Sequence, residues 1–198
     1  MINKILLLLK YINMHTLLLI IFLLYSNLSF SEIKSINLGH LKKNSSGKIV
    51  FLRHAFAPGN GDPSDFKFND CSTQRNLSKS GVEQAMKIGK IIKNNKVKFN
   101  KIYSSYWCRC LDTAKYLDIG IVIPHKGLNS FYENIVDREE TINSFKNLLK
   151  KIKPSEYPLL MVTHYVVISE ITGLSVSSGE MVVYDIKTKK SKYLKIIE

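Results

Sequence analysis

The sequence predicts an α/β sandwich of three layers, with a largely parallel central sheet flanked by helices. Two observations carry this. Short apolar runs rich in β-branched residues alternate with segments of helical periodicity through most of the chain. Polar residues follow three of those runs directly, at Arg53-His54, Ser104-Ser105 and Thr163-His164, where open α/β sheets bind their ligands.

The elements follow in order. Residues 32–47 are polar, carry Asn-Ser-Ser-Gly and read as a linker. Lys48-Ile49-Val50-Phe51-Leu52 reads as a buried strand ending at Arg53-His54. A loop rich in Pro, Gly, Asp and Asn runs from Ala55 to Asn76, long enough to suggest a role at the site. Ser78 is placed as a helix N-cap ahead of Val82, Ala85, Met86, Ile88, Gly89 and Ile92. Residues 101–104 form a second strand, and a helix begins near Cys108 with Thr113, Ala114 and Leu117. Residues 119–123 are a third strand, stopped by Pro124. Phe145, Leu148, Leu149 and Ile152 mark a helix ended by Pro154. Residues 159–163 are a fourth strand, closing on His164. A short helix runs to Gly173, and residues 181–186 and 193–197 are closing strands.

Composition bounds the class. The chain has 198 residues, 45% hydrophobic and 23% charged, with 3 Cys. That is too apolar for a disordered chain and too poor in cysteine for a disulfide-built miniprotein. The length suits one domain with a real core. Lys4 and Lys10 with an apolar run from Leu17 to Tyr25 make residues 1–31 a signal peptide or N-terminal anchor, with Ser29 and Ser31 suiting cleavage before Glu32. The working domain is then 48–198 and exported, periplasmic or secreted, or held to the membrane by that segment. The formal charge is +13, or +11 without residues 1–31. The lysines are scattered and no zinc-finger or RNA-recognition pattern is present, so nucleic acid is not the expected partner. The charge reads first as a solvated basic surface, with attraction to anionic substrates or lipid head groups as the alternative. Oligomeric state is not legible.

His54, His164, Arg53 and Arg109 are the chemically able residues at the strand ends. Arginine forks match phosphate oxygens, and imidazole can act as a neutral nucleophile near pH 7. No carboxylate cluster for a metal is present, and guanidinium groups can supply the positive charge, so neither metal nor cofactor is expected. A Gly-Lys-Ser/Thr phosphate loop is lacking as well.

Four stretches together resemble the histidine phosphatase (phosphoglycerate mutase-like) superfamily. Phe51-Leu52-Arg53-His54-Ala55 is similar to its Arg-His-Gly signature, with Ala55 for glycine. Asn76-Leu77-Ser78-Lys79-Ser80-Gly81-Val82-Glu83-Gln84-Ala85 resembles its Leu-Thr-x-x-Gly-x-x-Gln-Ala helix start. Tyr103-Ser104-Ser105-Tyr106-Trp107-Cys108-Arg109-Cys110-Leu111-Asp112-Thr113-Ala114 resembles its Ser-Ser-x-x-x-Arg-x-x-x-Thr-Ala stretch. Met161-Val162-Thr163-His164 matches the strand end of its second histidine. The motifs span roughly residues 48 to 186 of this chain.

The resemblance implies a phosphoglycerate mutase-like fold and a phosphomonoester hydrolase. His54 would become a phosphohistidine, Arg53 and Arg109 would clamp the phosphoryl oxygens, and His164 would hydrogen-bond the same group. A small phosphorylated substrate is implied, an envelope sugar phosphate among them. The family's acidic proton donor is replaced by Ser130, which leaves Glu133 as the candidate acid and Asp62 as another. Arg75 is a candidate further cation, set against a structural ion pair. A phosphate-binding module without catalysis and a phosphoryl mutase are the alternatives.

Three cysteines in an exported chain imply one disulfide and one free thiol. Cys71 with Cys108 is the favoured pair, since it would brace the pocket beside Arg109. Cys71 with Cys110 stays open.

Overall fold

The computed structural model describes residues 35–43 and 45–196, so the signal peptide or anchor read at 1–31 lies outside the described residues. A seven-stranded sheet runs in the order β1-β7-β6-β2-β5-β3-β4. The strands are β1 (Ile36–Asn37), β2 (Lys48–Arg53), β3 (Lys101–Ser104), β4 (Val122–Pro124), β5 (Leu159–Thr163), β6 (Met181–Asp185) and β7 (Lys190–Lys195). The centre is parallel, with β2 beside β5, β5 beside β3 and β3 beside β4. Only β6 runs antiparallel to its two neighbours, β2 and β7.

Helices cover both faces: α1 (Leu38–Lys43), α2 (Lys79–Asn94), α3 (Cys108–Leu117), α4 (Arg138–Lys151) and α5 (Tyr165–Thr172). Alternation along a strand explains the two cores. Val50, Leu52, Leu160 and Val162 pack with Ile88 and Ile92 of α2 and Ala114 and Leu117 of α3. Ile49, Phe51, Leu159 and Met161 pack with Phe145 and Leu148 of α4 and Ile168 of α5. A strand buried on both faces reads as a continuous apolar run, as β2 and β5 do.

Three expectations are corrected. The stretch read as a linker holds β1 and α1, because Leu38 and Leu41 of α1 are buried in the core. The third strand is shifted to Val122–Pro124, leaving Ile121 at 87% exposure. Proline is tolerated there because β4 is an edge strand. Met86, read on the apolar face of α2, points outward at 55% exposure, while Ala85 and Ile88 carry the buried face. Ser78 does cap α2, its hydroxyl accepting the Gly81 N–H. The helix ending near Pro154 starts at Arg138, with the Asp137 carboxylate accepting the Glu140 N–H.

Candidate active site

The C-terminal ends of β2, β3 and β5 meet at one crevice. His54 leaves β2 with its N–H bonded to the Thr163 carbonyl at 2.9 Å. Ser105 leaves β3 with its N–H bonded to the Val162 carbonyl at 3.0 Å. The register thus locks the three polar strand ends together. The imidazole rings of His54 and His164 stand 5.4 Å apart, edge to face. A cavity of about 340 Å³ is lined by both, together with Arg53, Arg75 and Arg109.

Each histidine is held in one chemical state. The His54 Nδ1 sits 2.8 Å from the Ala55 carbonyl oxygen, which can only accept, so Nδ1 carries the proton and Nε2 keeps the lone pair. Burial and the nearby Arg109 charge push the His54 pKa down to about 3, so the ring is neutral near pH 7. His164 is likewise driven well below the usual imidazole range by burial, then by Arg109. Its Nε2 lies 3.0 Å from the Ser105 hydroxyl. Ser105 in turn donates to the Asn129 Oδ1 at 3.2 Å, so His164 Nε2 is the donor to Ser105.

The arginines differ. Arg53 donates to the Val176 carbonyl, and its guanidinium carbon lies 5.2 Å from the centre of the Tyr165 ring. Arg109 is shared with a carboxylate that the sequence reading weighed only as an acid. Asp62 accepts from Nη1 at 2.8 Å and Nη2 at 3.0 Å, from the Trp107 indole at 2.9 Å and from the Arg75 N–H at 3.0 Å. Nη1 also reaches the Arg75 carbonyl. That uses three of the five N–H donors of Arg109. Burial raises the Asp62 pKa most, but Arg109, the Arg75 N–H and the Trp107 indole together outweigh it and hold the carboxyl below its usual range. Asp62 therefore stays ionised and is no proton donor. The Nε atoms of Arg53 and Arg109 are buried without a partner among the described residues.

Arg75 lines the cavity and, among the described residues, has no carboxylate within ion-pair distance of its guanidinium. Its Nε and Nη1 donate to the carbonyls of Gly61 and Ala57, bracing the loop after β2. Glu133 is exposed and does not line the cavity. Its carboxylate packs on Gly61, where φ is +62° and a Cβ would collide with it. Ser130 does line the cavity, and its hydroxyl accepts the Tyr132 N–H at 3.2 Å. None of the lining residues is a carboxylate. Ala55 is fully buried, is not part of the lining and needs no positive φ, so its methyl is accommodated. Its N–H bonds Thr113 Oγ1 at 2.9 Å.

Cys71 and Cys108 form the disulfide, tying the loop after β2 to the residue before Arg109. Cys110 is free and buried, 3.4 Å from His164 Nε2. Burial pushes its thiol up to about 12, which keeps it protonated and unreactive. Among the described residues no group of three or more His, Cys, Asp or Glu could hold a metal ion.

No protein-family model matches the sequence, and no curated protein matches it. Solved structures do match. One is the protein histidine phosphatase SixA complexed with tungstate, 13% identical, covering 74% of this chain and 93% of that one, with a TM-score of 0.51. Another is a phosphoserine phosphatase from Entamoeba histolytica in complex with phosphoserine, 19% identical, covering 74% and 94%, at 0.51. The fold is phosphoglycerate mutase-like. A third structure with this fold is a mycobacterial glucosyl-3-phosphoglycerate phosphatase, 14% identical, covering 76% and 97%, at 0.50. These neighbours are histidine phosphatase superfamily members, the group that the four sequence motifs resemble. In this chain's version of the fold, Ser105, Asn129, Trp107 and Asp62 serve the site through partners distant in sequence. The Ser-Ser pair after β3 is the local signal for Ser105, the sequence offers Asp62 only as an acid, and nothing local marks Asn129.

Proposed function

We propose that this protein is a phosphomonoesterase of the histidine phosphatase superfamily, working through a phosphohistidine on His54 without a metal ion. One observation carries the reading: two imidazoles held neutral share a cavity with three guanidinium groups. Such a cavity suits a phosphoryl dianion. The lone pair of His54 Nε2 attacks phosphorus, and the P–O bond to the leaving group breaks with its electron pair. Arg53 and the two spare N–H groups of Arg109 hold the oxygens, while His164, its N–H given to Ser105, borders the same group. Water then attacks the phosphohistidine, and the P–N pair returns to Nε2. No lining residue is a carboxylic acid, so the leaving oxygen takes its proton from solvent.

Export fits the same reading. The Cys71–Cys108 disulfide supports an oxidising compartment such as the periplasm or the exterior. A small phosphorylated substrate suits the cavity's size and charge. A binding module is the second reading, favoured by the engagement of Arg109 with Asp62 and by the carboxylate-free lining.

The test is hydrolysis of p-nitrophenyl phosphate and phosphorylated sugars, with and without chelator, beside His54→Ala. Turnover that survives chelator and falls by at least roughly 10⁴-fold in the variant fits the enzyme. Tight phosphate binding with no turnover by the intact protein makes it the module.

A further inference from the structure

Two independent features of the cavity bear on what the phosphoryl group is attached to. The first is its mouth. Phe56, Tyr132 and Tyr165 line the cavity from three separate segments, yet remain 47%, 40% and 36% exposed. Three rings gathered at one mouth make an exposed aromatic patch, the kind of surface that marks a binding site. The rings of Tyr132 and Tyr165 stand 6.0 Å apart, Tyr165 is backed by Arg53, and Tyr132 is pinned through its backbone by Ser130. Tyr132 and Tyr165 thus present a paired ring face at the mouth.

The second is the missing proton. Ser130 stands where an acid was expected. Asp62 is spent on Arg109 and Trp107, and both histidines are held neutral. Glu133 lies outside the lining. A leaving oxygen therefore departs without help from inside the cavity. A phenolate, with a parent pKa of about 10, can do so. An alkoxide, whose parent alcohol ionises near roughly 16 like water, cannot do so at a useful rate.

We infer that the substrate is an aryl phosphate of the phosphotyrosine kind, its ring lying on the tyrosine faces, rather than an alkyl phosphate such as a sugar phosphate. The inference rests on the phosphatase reading above. In the first step His54 Nε2 bonds to phosphorus and the P–O(aryl) bond breaks, its pair leaving on the phenolate. Solvent protonates the phenolate. In the second step water adds to phosphorus, the P–N bond breaks, and the water proton is lost to solvent as phosphate departs.

The test compares phosphotyrosine, benzyl phosphate and glucose 6-phosphate on the full chain, with Tyr132→Ala, Glu133→Gln and His54→Ala beside it. Benzyl phosphate separates the two features, since it has a ring but an alkoxide leaving group. Phosphotyrosine and benzyl phosphate should share a low KM, while only phosphotyrosine has a high kcat, by roughly 10²–10⁴-fold. Tyr132→Ala should raise KM for both ring substrates by about 10-fold and leave that for the sugar phosphate within about two-fold. Glu133→Gln should leave the phosphotyrosine kcat within about two-fold. Sugar phosphate turnover as fast as phosphotyrosine, lost in His54→Ala, would overturn the inference and leave the phosphatase reading standing. Benzyl phosphate turned over at the phosphotyrosine rate would overturn it as well. Absence of any His54-dependent turnover would remove both.

Discussion

The floor and the rim of the cavity are built by different means. On the floor, His54, Ser105 and His164 sit at strand ends whose backbone bonds to neighbouring strands fix them. The rim is a loop with little regular structure between β2 and α2. It is held by the bidentate Asp62–Arg109 pair, by Arg75 on two backbone carbonyls, and by the Cys71–Cys108 disulfide. The floor takes its rigidity from the sheet that any α/β chain must form. The rim depends on a few side-chain ties, each removable by one substitution. Chemistry common to the fold can therefore stay on the floor while selectivity changes at the rim.

The largest expected effect comes from the rim's ion pair. The Asp62 and Arg109 side chains are each only 4% exposed, so Asp62→Ala strands a buried guanidinium. Stability should fall by about 3–5 kcal/mol in a denaturant titration. Inorganic phosphate should restore part of that loss by taking the carboxylate's place. A loss that phosphate does not touch would mean that Arg109 does not face the anion. Next comes the disulfide, which closes a loop of sequence separation 37. Removing it by Cys71→Ala with Cys108→Ala should cost about 3–4 kcal/mol and raise KM more than it lowers kcat, because the floor stays in place.

Acid separates the two regions by pH. A histidine held neutral in the fold has a folded pKa below its unfolded value of about 6.5. Its stabilisation is complete above that value and lost as pH falls toward the folded pKa, about 3 for His54. Asp62 has a depressed pKa, so its contribution is complete above about 3.9 and lost only below. Between pH 6 and 5 the floor alone should weaken, by about 1 kcal/mol per buried histidine per pH unit. Melting curves across that window check it, and the loss should shrink in His54→Ala. The smallest effect is Ala55→Gly. The backbone there does not need glycine, so the change should cost about 0.5–1 kcal/mol and leave turnover within about two-fold. A gain in turnover would show that the methyl does crowd the phosphate.

The same contrast explains what was legible. His54 and His164 could be read because apolar runs mark strands and strand ends mark the crevice, so order along the chain gives place in space. Favouring Cys71–Cys108 came from position too, since both flank the expected pocket. The Asp62–Arg109 pair was hidden because a loop carries no periodicity, and nothing local says which way Asp62 turns. The linker reading of 32–47 missed β1 and α1 because only Leu38 and Leu41 signal burial in so short a helix. Nearness in sequence points to Glu133, but its carboxylate packs on Gly61 and it is not among the cavity's lining residues.

The central claim is that the His54 Nε2 lone pair becomes bonded to phosphorus. Full-length protein mixed briefly with p-nitrophenyl phosphate, quenched in alkali and digested, should yield a peptide carrying one extra phosphoryl group on His54. That peptide should be absent in His54→Ala and diminished in Arg109→Ala. Rapid turnover with no phosphorylated His54, or with the phosphoryl group on another residue, would contradict the account.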